Sequence, residues 1–101
     1  MIPPKTLREY YKYYLTLHQN KTNRRLHVTG QLITISFILL VMEARLWPLL
    51  LFAPFIIYPF AWSGHYFFEG NKPAAFVNPL YAKMSDWIMF KDILLGRLRI
   101  W

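Results

Sequence analysis

Two stretches without a formal charge dominate this chain: 17 residues from Leu26 to Met42 and 23 from Leu46 to Phe68. A helix needs about 20 predominantly apolar residues, within about 17–25, to cross the hydrocarbon core of a bilayer. Only Glu43, Ala44 and Arg45 separate the two stretches, so they must form a tight antiparallel hairpin. The first carries His27, Gln31 and several hydroxyls; the second carries Pro48, Pro54 and Pro59, which should bend it. A bilayer tolerates such breaks where neighbouring helices satisfy the freed carbonyls. The expected fold is an all-α integral membrane protein, a two-span transmembrane helical hairpin over residues 24–42 and 46–68.

With 101 residues the chain makes one domain, 1–101. Its hydrophobic share of 55% excludes disorder. It has no cysteine, which excludes disulfides, thiolate metal sites and a thiol nucleophile. The net charge of +7 suits nucleic acid or an anionic membrane surface; the apolar stretches select the membrane, and no nucleic-acid partner is expected. The apolar run starts too late for a secretory signal peptide.

The flanks are amphipathic. Leu7, Tyr11, Tyr14 and His18 recur at spacings of 4, 3 and 4, which predicts an interfacial helix over 5–19, with Pro3 and Pro4 at its start. Turns at Asn71-Lys72-Pro73 and Asn78-Pro79 precede a second interfacial helix over 80–95, stopped by Gly96. There Trp87, Phe90 and Ile93 alternate with Lys83, Asp86, Lys91 and Asp92, a mixture that reads as interfacial packing. Arg24 and Arg25 precede the first span, five basic residues follow the second, and the connecting loop has one, so both termini are expected in the cytoplasm. That topology puts the Asn20-Lys21-Thr22 sequon on the wrong side for glycosylation.

All three histidines then fall at one level. His27 lies about 24 Å from the hairpin loop along the first span and His65 about 30 Å along the second, while His18 precedes the first span across a short turn. Three imidazoles can converge at the cytoplasmic end, as Fe(II) or Zn(II) sites require. Tyr14, Asn23 and Glu69 each stand four residues from one histidine, placed to orient it. The alternatives are histidines that merely hydrogen-bond at an interface and a Glu69 paired with Lys72. Phosphate loops and nucleophile elbows have no counterpart in the chain.

Two motifs carry a family resemblance. Tyr13-Tyr14-Leu15-Thr16-Leu17-His18-Gln19-Asn20, with Asn23-Arg24-Arg25-Leu26-His27 and Gly30, is one; Phe60-Ala61-Trp62-Ser63-Gly64-His65-Tyr66-Phe67-Phe68-Glu69, with Asn71-Lys72-Pro73-Ala74, is the other. Together with Asn78-Pro79-Leu80-Tyr81, Ser85-Asp86 and Gly96-Arg97-Leu98, the chain resembles compact bacterial-type members of a family of small membrane proteins. That family includes the 2-hydroxy fatty acid dioxygenase of fatty acid α-oxidation. The resemblance implies an Fe(II) enzyme that uses O2 to shorten a 2-hydroxy fatty acid by one carbon, releasing CO2. It maps the essential histidines onto His18, His27 and His65; beside them Glu69 is expected to be either a fourth ligand or a nearby base. Arg24, Arg25 and Lys72 would neutralise the substrate carboxylate. Membrane lipid is a further partner, a homo-oligomer is compatible, and a bacterial inner membrane is favoured over the endoplasmic reticulum. The other function class is a non-catalytic lipid-binding or scaffold module.

Overall fold

A computed structural model of the chain describes residues 5–74 and 77–101, and every regular element among them is helical. Pro3 and Pro4, expected at the first helix start, lie outside the described residues.

Helix α1 spans Leu7–Thr16, capped by the Thr6 side chain on the Glu9 N–H. It ends before His18, so the predicted helix over 5–19 is shorter at both ends and His18 sits in the turn that follows. Helix α2 spans Lys21–Ala44. The Asn20 side chain caps it by accepting the N–H groups of Thr22 and Asn23, satisfying two orphan donors of the first turn. At the far end Arg45 adopts a left-handed conformation (φ 58°). Its N–H donates to Met42 at 3.2 Å, and Leu46 reaches back to Val41 at 3.0 Å, so the chain reverses within one residue.

The returning stretch is not one α-helix. Trp47–Phe55 forms a 3-10 helix with Pro48 in its first turn and Pro54 inside. Helix α3 spans Ile57–Gly64, and a π turn covers His65–Glu69. Proline removes an N–H and crowds the preceding turn, which disfavours an α ladder through Pro54. Pro59 falls in the first turn of α3, where its missing N–H has no partner to lose. In the π turn the His65 carbonyl accepts from Gly70 at 2.8 Å and from Asn71 at 3.2 Å. Gly70 makes this possible by taking φ 73°, a conformation that costs a side chain little only when there is none. Lys21–Ala44 and Trp47–Glu69 are each long and apolar enough to cross a membrane.

Helix α4 spans Pro79–Leu94, with Asn78 accepting the Tyr81 N–H as its cap. It packs on α1 around Tyr10, Tyr14, Ala74, Ala82 and Met89. The pair lies across the end of the hairpin that holds the α2 start and the π turn. Within the hairpin, α2 and α3 approach closely at Gly30 and Gly64. A Cβ on Gly64 would stand 1.8 Å from Asn23 Oδ1, and one on Gly30 2.6 Å from Ile57 Cδ1.

Polarity is distributed from inside to outside. Asn23, His27, Gln31 and Thr34 of α2 are buried, whereas Leu39, Leu40, Leu51, Phe52 and Phe55, at the loop end of the hairpin, are 61–76% exposed.

Candidate metal centre

Three elements deliver the histidines: the α1–α2 turn brings His18, the second turn of α2 brings His27, and the α3–π junction brings His65. All three are buried, and one ring nitrogen from each lies within 4.8 Å of the others. The ring centroids are 4.6, 4.5 and 5.5 Å apart, and the planes meet at 85°, 81° and 88°. Mutually perpendicular rings are how three imidazoles share one small volume without stacking.

Each ring is held by its Nδ1. His18 Nδ1 bonds the Tyr14 carbonyl at 2.7 Å, and His27 Nδ1 bonds the Asn23 carbonyl at 2.9 Å. A carbonyl only accepts, so both Nδ1 atoms carry the proton. His65 Nδ1 bonds Asn71 Oδ1 at 2.6 Å, and the Asn71 amide is oriented because its NH2 donates to the Leu17 carbonyl at 3.1 Å. The same logic therefore puts the proton on His65 Nδ1. Three Nε2 lone pairs are left for the centre of the cluster, and His18 Nε2 is buried without any hydrogen-bond partner. Burial, aided by the His27 ring, holds the His18 pKa well below its ordinary value, so the imidazole is neutral as a ligand must be. Nitrogens sharing one ion at about 2.1 Å stand no more than about 4.2 Å apart, so small ring rotations suffice to close the site. The donor set fits a borderline divalent metal.

The anticipated partners are present but act differently. Tyr14 orients His18 through its backbone carbonyl and also stacks on the ring, centroids 3.8 Å apart at 16°. Asn23 likewise serves His27 through its carbonyl, while its amide NH2 reaches Glu69 at 3.4 Å. Glu69 makes no hydrogen bond to His65. Its carboxylate accepts the Asn20 N–H and the Asn23 amide, bracing the first turn of α2 against the π turn. Asn71 takes the role on His65 that sequence spacing gave to Glu69. The signal for it is the unusual i to i+6 reach of the π turn, a distortion that recurs at functional sites.

The basic residues are also redistributed. Arg24 donates through Nε to the His18 carbonyl at 2.6 Å and through Nη1 to the Arg99 carbonyl at 3.0 Å, so it is a strut for the His18 turn. Arg25 lies 4.9 Å over the Trp101 ring, and Lys72 is exposed. None of the three lines the cavity of about 40 Å³ beside the histidines. Lys83 and Asp86 do, together with Tyr14, Ala61, Trp62 and Ala82. The Asp86 carboxylate accepts the Tyr14 hydroxyl at 3.0 Å and the Gln31 amide at 2.8 Å. Burial raises its pKa to about 7 against the lowering pull of Tyr14, Lys83 and Gln31.

Fold and site together define the class: an all-helical protein with two potential membrane-crossing segments and a buried three-histidine cluster able to hold a metal ion. Within that class, the chain belongs to the 2-hydroxy-palmitic acid dioxygenase Mpo1-like family, whose model matches residues 4–98. The resemblance read from the two histidine-bearing motifs is thereby borne out, and the family name denotes a dioxygenase. No curated protein and no solved structure matches the chain.

Proposed function

We propose that this chain is an Fe(II)-dependent dioxygenase that shortens a 2-hydroxy fatty acid by one carbon at a membrane interface. The observation that carries the reading is a buried cluster in which one ring nitrogen of each histidine lies within 4.8 Å of the others, while every Nδ1 is committed to an oxygen acceptor and every Nε2 lone pair is left for a metal. An all-nitrogen donor set suits iron or zinc, and membership in a dioxygenase family supports iron. Bound there, the ion would supply O2 activation and two-point chelation of a 2-hydroxy acid.

The chain's own residues do the rest. His18, His27 and His65 hold the ion, while Tyr14, Asn23 and Asn71 fix the rings that bind it. Glu69 and Arg24 hold the α2 start and the His18 turn in register, so that ligands from three elements stay together. The cavity between α3 and α4, lined in part by Ala61 and Ala82, receives the substrate head. Polar groups inside and apolar side chains outside support a hairpin immersed in lipid, with the histidine end at the headgroup level where a fatty acid carboxylate lies. The basic bias of the flanks supports cytoplasmic termini.

The test is iron analysis and turnover of the purified chain. After anaerobic iron supplementation, about one iron per chain is expected, lost on His65→Ala. With O2 and a long-chain 2-hydroxy fatty acid, the acid one carbon shorter should accumulate. A folded protein with no iron above background would refute the reading and leave a non-catalytic lipid-binding module.

A further inference from the structure

The cavity beside the histidines has a second polar wall, built by α4 and not needed to hold a metal. Asp86 and, one turn earlier, Lys83 both line it. Asp86 is 6% exposed, and its two oxygens are each approached by one donor, the Tyr14 hydroxyl and the Gln31 amide. An ionised carboxylate offers about four lone-pair sites, so each oxygen keeps capacity for another donor. Lys83 forms no ion pair with it; among the described residues the ion pair found joins Arg97 and Asp92. The Lys83 ammonium instead donates to the Pro54 carbonyl at 2.5 Å and lies 5.2 Å over the Tyr58 ring. A hydrogen bond to one carbonyl uses one of its three N–H groups. Burial lowers the Lys83 pKa, with Asp86 opposing, so this cation gains from an anion brought beside it.

We propose that Asp86 reads the 2-hydroxyl of the substrate and Lys83 its carboxylate, an assignment that rests on the 2-hydroxy acid reading of the site. The ligand carries one donor and one anion on adjacent carbons. The wall carries one acceptor and one cation on adjacent turns of one helix, positions whose Cβ atoms lie about 5–6 Å apart. An unsubstituted fatty acid has the anion and no donor, so it sets its carboxylate beside Asp86 without the bond that offsets the repulsion. Asp86 therefore selects by what it rejects as well as by what it binds.

The experiment measures binding by isothermal titration on the full chain in detergent, loaded with Fe(II) and kept under nitrogen so that nothing turns over. The probes are 2-hydroxyhexadecanoic acid and hexadecanoic acid. Asp86→Asn keeps the fold's bonds, because its amide oxygen can accept from Tyr14 while Gln31 turns its own carbonyl toward the amide NH2. It should bind the hydroxy acid about 10- to 100-fold more weakly, the loss expected for a hydrogen bond to a charged group. The plain acid should change less than about 3-fold on the same scale of uncertainty in such measurements, with iron content unchanged. Lys83→Met should weaken both acids alike, again by about 10- to 100-fold. An Asp86→Asn protein that loses both acids equally, or neither, overturns the hydroxyl assignment; a Lys83→Met protein that loses neither overturns the carboxylate assignment.

Should Asp86→Asn not fold, the wild-type chain labelled with 13C at its two aspartate carboxyls decides the matter by difference infrared spectroscopy. The label should shift when the hydroxy acid is added and not when hexadecanoic acid is; no shift overturns the proposal. A wild type without preference for the hydroxy acid would instead refute the functional reading itself. That outcome is separate from a wild type that prefers it and an Asp86→Asn protein that prefers it as strongly.

Discussion

Replacing Asp86 by Asn should stabilise the protein above neutral pH and do nothing for it in acid. Burial lifts the Asp86 carboxyl from 3.8 to about 7. A pKa raised in the folded state means stability that is complete below the unfolded pKa and lost as pH climbs to the folded one. Below about pH 4 both states hold the proton, and there is no penalty. Between about pH 4 and 7 only the folded carboxyl holds it, so stability falls by about 1.4 kcal/mol for each pH unit. Three such steps give about 4 kcal/mol, reached near pH 7 and constant beyond. An asparagine carries no charge to desolvate. The difference in unfolding free energy between variant and wild type should therefore grow by up to about 4 kcal/mol from pH 4 to pH 8. Groups that do not interact with Asp86, His18 among them, titrate alike in both proteins and cancel. His18 illustrates why the difference is the quantity to use: its lowered pKa makes both proteins lose stability as pH falls below its ordinary value. The assay is unfolding of the metal-free proteins in one detergent, followed by helical circular dichroism at pH 4, 6 and 8. A gap that stays constant, or narrows as pH rises, would refute the buried, ionisable carboxylate.

Three further outcomes are open to measurement. Asn71→Ala removes the acceptor of His65 Nδ1 and the donor to Leu17, and metal affinity should fall about 10- to 100-fold in a competition titration. Gly64→Ala puts a methyl group onto Asn23, between the His27 and His65 supports, and should cost about 1–3 kcal/mol of stability together with a loss of bound metal. Reporter fusions at residues 1 and 101 should both read cytoplasmic; ends on opposite sides would break the hairpin topology.

The hairpin was legible in the sequence because lack of charge over a bilayer's length leaves few alternatives. The convergence of His18, His27 and His65 was legible because antiparallel geometry converts sequence distance from a loop into depth. Their supports were not. Two of the three rings are oriented by backbone carbonyls, and every residue has one of those, so no residue type marks the position. The third depends on Asn71, six residues from His65, which an α-helical spacing rule cannot select. Glu69 has the right spacing on an ideal helix, and the π turn rotates it away toward Asn20 and Asn23. Lys83 and Asp86 read only as part of the mixed packing of an interfacial helix. The buried set Ala82, Asp86, Met89 and Phe90 has helical periodicity, so an acid inside that stripe was the available clue.

The three histidines straddle the seam between two layers of the molecule. His18 belongs to the layer of α1 and α4, whereas His27 and His65 belong to the hairpin. Across that seam the layers are joined by polar bonds, one buried (Gln31 to Asp86) and two partly buried (Asn71 to the Leu17 carbonyl and Arg24 to the His18 carbonyl). Bonds of this kind contribute little net stability where water competes, and more where the surroundings exclude it. With the hairpin immersed in lipid, as proposed, its apolar exterior would gain nothing by leaving its solvent, and these directional bonds would set the alignment. Asp86 is central to them: it accepts from Tyr14, which is stacked on one ligand, and from Gln31, one turn beyond another. The arrangement tolerates a costly buried carboxylate because that carboxylate aligns the two halves of the site.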